Sequence, residues 1–276
     1  MSRLEYGWEK VVATKKVQDW LADDSSKVLQ LTMSDFSEAG QQPGKMTLNY
    51  SAVELPAALS KLDVEPFGNL TGGYVLIKRK DTVLPTLYPK LEQPTEQYVG
   101  MPFYTLPRHN YLRKGATGFV NGEDGINLAW SMGVLQSFLM ECFSPFENFT
   151  LGGRLEARTK GELKILGQTF PLDAVAEADG YLESDRHIVV LAARQSSYQT
   201  PLSGFSIHHL VRPLIHVRSQ NEKLSSGLLL DWSVESEEDH STVRFGLFHY
   251  DFPSTGTGIN PFDYRLTKSK SYIILA

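Results

Sequence analysis

The sequence predicts an α+β fold in two parts. Three features point to it. Apolar residues recur at helical spacing over 7–22 and, more densely, over 124–143. Short β signals follow one another from Phe149 to Tyr250. A Pro- and Tyr-rich stretch, 81–118, lies between a smaller first part and a larger second one and is the best candidate boundary. The expected division is 1–80, a connecting segment over 81–118, and 119–276.

In the first part, Trp8, Val12, Ala13, Val17, Trp20 and Leu21 mark one amphipathic helix, ended by the polar run Asp23 to Ser26. Lys27 to Thr32 is a short apolar segment. Met33-Ser34-Asp35 suits the cap of a brief helix before Gly40. Gln41 to Gly44 reads as a turn and Lys45 to Tyr50 as a strand. Pro56 fits the first turn of a helix reaching about Leu62, because its missing N–H is no loss there. Val64 to Phe67 and Tyr74 to Arg79 read as a hairpin around a glycine-bearing turn. Helices followed by a hairpin suggest a winged-helix-like unit, in which a helix enters a DNA groove and the wing touches phosphate. The connecting segment carries Leu87, Tyr88, Tyr98, Phe103, Tyr104 and Leu106, too many large apolar side chains to stand in solvent.

In the second part, 124–143 is apolar around most of its circumference, the mark of a buried helix. Cys142 on it reads as core packing. Glu162 to Leu166 and Thr169 to Val175 form a hairpin turning at Gly167-Gln168. Glu177 to Arg194 is read as another, with a first strand ending on Asp179, a polar turn over Glu183 to Arg186, and an apolar strand from His187 to Ala193. Phe205 to Leu210 starts a helix that Pro213 interrupts or that leads into a strand. Residues 227–234, 243–250 and 270–275 are further strands.

Composition limits the possibilities. With 41% hydrophobic and 21% charged residues, 276 residues are enough to bury a sizeable core. The single cysteine allows no disulfide within the chain, which fits a reducing compartment. No apolar run is long enough to span a bilayer, and the N-terminal MSRLEYGWEK lacks the apolar core of a signal peptide. A cytoplasmic protein with no membrane partner is expected. The net charge of −5 argues against non-specific nucleic-acid binding but leaves room for a local basic face. Lys78, Arg79, Lys80 and Arg154 are the candidates for DNA contact. Arg108, Arg113, Lys114, Lys268 and Lys270 are other basic positions.

The stretch 177–194 carries the chemistry. Metal-dependent phosphodiester hydrolysis needs oxygen ligands for Mg²⁺ and a positive group near the transition state. Residues i and i+2 of a strand share a face, so a Glu-x-Lys ending sets a ligand beside a cation, opposite an Asp of the neighbouring strand. Here Asp179 is present, but the i, i+2 pair is Ala192 and Arg194. Alanine offers no oxygen. Arginine stabilises charge and does not act as a base. His208, His209 and His216 lack a His-Glu-x-x-His spacing and read as packing or solvent residues.

Several segments resemble one family: LQSFLMEC, the TLGGR turn at Thr150 to Arg154, ILGQTFPLDAVAEADGYLE, HIVVLAARQ, GFSIHHLVRPL and DYRLTKSKSYIIL, with looser matches at VELPAAL, VEPF and GGYVLIK. Their order and spacing are similar to type II restriction endonuclease-like proteins with the PD-(D/E)xK nuclease fold. The resemblance implies an N-terminal winged-helix-like domain followed by a nuclease domain with a central mixed β-sheet flanked by helices. It implies Mg²⁺-dependent hydrolysis of double-stranded DNA by a homodimer or paired subunits. Asp179 then stands at the metal-binding Asp, Ala192 at the catalytic Glu and Arg194 at the catalytic Lys. His208 and His209 replace an Arg-Gln type pair. Glu123 or Glu141, on or just before the long helix, is a candidate for a further carboxylate.

Three readings of Ala192 stay open: an engineered substitution; a naturally degenerate nuclease that keeps DNA or partner binding; or a ligand supplied from elsewhere, by Glu177, Glu183 or Asp185. The alternative to a nuclease is therefore an inactive nuclease-fold protein that binds DNA or a partner. A protein with no nucleic-acid role is the third reading, supported by the acidic net charge.

Overall fold

The computed structural model describes residues 3–42, 55–70, 73–80, 82, 85–89, 91, 97–99, 122–143, 147–196, 205–220, 223–236, 241–253 and 258–275. The expected strand at 45–50, and Phe103, Tyr104, Leu106, Arg108, Arg113 and Lys114, lie outside them. The fold is α+β, built on two mixed sheets. No described helix is long and apolar enough to cross a membrane.

The helix expected over 7–22 is two helices, α1 (Arg3–Val12) and α2 (Lys15–Ala22). Thr14 sits at the break, its hydroxyl donating to the Val11 carbonyl at 2.8 Å. Strand β1 (Val28–Leu31) leads into α3 (Met33–Glu38). There Thr32 and Asp35 form a reciprocal capping box, satisfying two N–H groups that a helix start leaves over. Helix α4 (Ala57–Ser60) follows Pro56. Strands β2 (Val64–Leu70) and β3 (Gly73–Lys78) form the expected hairpin.

A short strand, β4 (Gln97–Val99), belongs to the connecting segment. Leu87 and Tyr88 of that segment are buried, as their apolar character requires. The helix expected over 124–143 is α5 (Gly122–Ser131) and α6 (Val134–Cys142). Gly133 between them has φ of +72°, a left-handed conformation that breaks the helix and that glycine adopts at little cost. Cys142 packs against the core beneath α6, and burial pushes its thiol up to about 12.

Strands β5 (Thr150–Gly152), β6 (Leu155–Ile165) and β7 (Gln168–Ala178) follow. The β6–β7 turn falls at Leu166-Gly167, both with positive φ, one residue before the expected place. Then come β8 (Gly180–Glu183), β9 (His187–Gln195), α7 (His208–Gln220), β10 (Leu224–Ser236), β11 (Ser241–Asp251), β12 (Gly258–Ile259) and β13 (Arg265–Leu275). Pro213 does not interrupt α7. It lies buried inside it, so the helix tolerates the lost hydrogen bond in exchange for packing on both sides.

One sheet has the order β1-β3-β2-β7-β6-β12 and the other β4-β13-β11-β10-β9-β8-β5. Alternation along the strands sorts residues into three cores. Tyr74 and Leu76 of β3 face α1–α4 with Trp8, Trp20 and Phe36. Val75 and Ile77 face the opposite way, into a core shared by both sheets and α7. On β9, Ile188, Val190 and Ala192 enter that same core, while Val189 and Leu191 face α5 and α6. Helix α7 is thus a layer between two sheets, α1–α4 cover the outside of one sheet and α5–α6 the outside of the other. The first sheet and the central core draw residues from both 1–80 and 119–276.

Candidate functional site

Asp179 is not the end of a hairpin strand. The first sheet ends with β7 at Ala178 and the second begins with β8 at Gly180, so Asp179 is the corner where the chain crosses between them. Its N–H donates to the Leu191 carbonyl at 3.0 Å, and its Oδ2 accepts the Ala193 N–H at 2.8 Å. Gly180 pairs with Leu191, which brings Asp179 beside Ala192 and Ala193. The partner of β9 is thus β8 rather than 177–179.

Ala192 is 4% exposed and belongs to the central apolar core with Ile188, Val190 and Leu229. Arg194, two residues on, shares its face. Strands β9 and β10 are parallel, a pairing that requires a crossover, which α7 supplies. Their register places Asp231 opposite Arg194. Arg194 Nε donates to Asp231 Oδ1 at 2.7 Å, and Ser196 Oγ donates to Asp231 Oδ2 at 2.9 Å. Burial pushes the Asp231 carboxyl above the usual aspartate range, opposed by the Arg194 charge and the two hydrogen bonds. Asp231 went unnoticed in the sequence. The available signal was a lone acid inside the apolar run LLLDWSV.

Helix α7 begins at the same end. His208 is buried edge-on to Phe67, with ring centroids 4.1 Å apart. Burial holds its imidazole well below its usual range, with the Arg212 and His209 charges acting the same way. Burial also lowers His209, as does Arg212, while Asp179 opposes the shift. Arg212 Nη2 donates to the Gly68 carbonyl at 2.6 Å, joining α7 to β2.

The remaining carboxylates are engaged or stand apart. Glu177 is exposed, with Arg154 Nη2 3.8 Å away. Glu183 accepts a hydrogen bond from Lys223 at 2.7 Å. Asp185 is exposed in the turn, and Glu123 is exposed in the first turn of α5. Glu141 bonds Lys270 at 2.5 Å and Lys268 at 2.9 Å, and those bonds hold its carboxyl below the usual range. Among the described residues no group of three or more His, Cys, Asp or Glu gathers to hold a metal. One Asp179 oxygen is bonded to the backbone and both Asp231 oxygens to side chains. The donor set among the described residues therefore does not fit a Mg²⁺ centre, which needs several unobstructed oxygens in octahedral array.

Of the basic candidates, Lys78 requires correction. It is buried, and its Nζ donates to the Trp20 carbonyl at 2.5 Å and the Asp23 carbonyl at 2.7 Å, closing the C-terminus of α2. It is not positioned to touch DNA. The Arg79 side chain is 14% exposed, with its Nε 3.6 Å from Glu65. Lys80 is exposed. Arg154 is also exposed, and its Nη2 is 3.5 Å from Glu156. Lys268 and Lys270 are paired with Glu141.

Comparison of the chain with family models, curated proteins and solved structures found no match in any of the three.

Proposed function

We propose that the chain is a duplex-DNA-binding protein of the PD-(D/E)xK restriction endonuclease type whose hairpin does not cleave. The carrying observation is the end of β9. The resemblance puts Asp179, Ala192 and Arg194 at nuclease positions, but Asp179 Oδ2 takes the Ala193 N–H, Ala192 is packed in apolar core and Arg194 is bonded to Asp231. On this reading α1–α4 with β1–β3 supply the winged-helix-like reader, although β2 pairs with β7 and continues one sheet into the part, β5–β13 with α5–α7, that the resemblance makes nuclease-like. Exposed Lys80 and Arg154 are the phosphate-contact candidates that remain. Binding by two copies, or beside an active subunit, follows from the same resemblance.

The test is fluorescence anisotropy on labelled duplexes at low salt, with a plasmid cleavage assay in Mg²⁺ and in Mn²⁺. Binding that weakens steeply with salt, without cleavage, is expected. No binding to any duplex at low salt would remove this reading in favour of a protein with no nucleic-acid role. Cleavage by the chain as written would return it to the nucleases.

A further inference from the structure

The misfit to a metal centre shows in what Asp179 does instead. Gly122, the first residue of α5, lies so close that a Cβ there would stand 2.8 Å from Asp179 Cγ and 2.7 Å from the Ala193 carbonyl oxygen. The start of α5, the sheet crossing at Asp179 and the backbone of β9 are thus in mutual contact. A helix start carries partial positive charge and N–H groups without helical partners, so a carboxylate packed against it is stabilised. The same carboxylate takes the Ala193 N–H. Asp179 is therefore held by the backbone of β9 and packed against the start of α5. The neighbouring cation is held as well: Arg194 is tied by Asp231, whose second oxygen takes Ser196.

We infer that this end of the hairpin is a metal-free fastening point. Asp179 ties the sheet crossing to α5, Asp231 fixes Arg194, and the hold on duplex DNA is independent of divalent cations. The DNA clause rests on the function proposed above. The fastening clause does not.

Two measurements test it. The first is anisotropy of a labelled duplex with the full chain in EDTA, Mg²⁺ and Ca²⁺. The second is an electron paramagnetic resonance titration of the DNA-free chain with Mn²⁺, with thermal melts of Asp179→Asn and Asp179→Ala. Asn keeps an acceptor for the Ala193 N–H and loses only the charge; Ala loses both. The expected results are one affinity in all three buffers, no Mn²⁺ binding that depends on Asp179, and a melting temperature lowered more by Ala than by Asn. Tightening by about tenfold or more in Ca²⁺ would overturn the cation-independence. Stoichiometric Mn²⁺ binding abolished by Asp179→Asn would overturn the fastening role, as would two variants that melt like the parent chain. If no duplex binds in any buffer, the DNA reading fails, while the Mn²⁺ titration and the melts still decide the role of Asp179. If Asp179→Ala does not fold, Asp179→Asn decides both.

Discussion

Placing a glutamate at position 192 supplies the residue that the family resemblance leads one to expect, and on the proposed reading the variant is destabilised and does not cleave plasmid. Ala192 is 4% exposed and packs with Ile188, Val190 and Leu229 against the layer of α7. The added chain overfills that core, at a cost of about 1–3 kcal/mol. The carboxylate also loses water, and Arg194 on the same face is already bonded to Asp231, which adds about 2 kcal/mol. Ala192→Glu is then less stable by about 3–5 kcal/mol, and the urea midpoint falls by about 1 M or more.

Ala192→Gln separates the two effects, because it keeps the bulk without the charge. Burial raises the pKa of a carboxyl, so the folded Ala192→Glu chain takes up a proton at a higher pH than the unfolded one. Its deficit relative to Ala192→Gln therefore shrinks as pH falls through the raised folded value. The assays are urea unfolding across pH and plasmid cleavage in Mg²⁺. A variant with the parent's midpoint that cleaves plasmid would refute the reasoning, since it would mean that a ligand position is being held open.

Three further outcomes follow from the same contacts. Arg194→Met leaves Asp231 buried without its cation and lowers stability by about 2–3 kcal/mol, at the low end because a quarter of Arg194 is in solvent; urea unfolding measures it, and no change would refute the pairing. Lys78→Met removes the donor to the Trp20 and Asp23 carbonyls and costs about 1–3 kcal/mol in urea unfolding; a midpoint equal to the parent's would refute the contact. Glu141, held below the usual carboxylate range by Lys270 and Lys268, contributes stability that is present above its unfolded pKa and lost as pH falls through the lowered folded value; Glu141→Gln flattens that part of the acid-unfolding profile.

The local elements and the composition of the hairpin were legible in the amino-acid order. The continuous apolar runs in VLIK and HIVVLAA marked strands, and the apolar surface of 124–143 marked a buried helical segment. Such signals are legible because each face of an element is set by residues a few positions apart. The breaks were harder to read. Thr14 and Gly133 each divide a continuous apolar stripe, and nothing in the spacing of the stripe reveals the change of direction. The i, i+2 relation of Ala192 and Arg194 was likewise legible, because the strand's period of two fixes it.

The partners were set by long-range packing. Asp179 became a corner between two sheets because β7 pairs with β6 and β2 while β8 pairs with β9 and β5, a choice made by residues far apart in the chain. Lys78 turned inward because the end of α2 came to rest over it. Arg194 acquired Asp231, 37 residues later, through a parallel register that only the packing of α7 between the sheets sets. A strand's own sequence fixes which face each side chain takes, but not which strand or helix will stand opposite it. That is why the residues of the hairpin were readable from the chain and the use made of them was not.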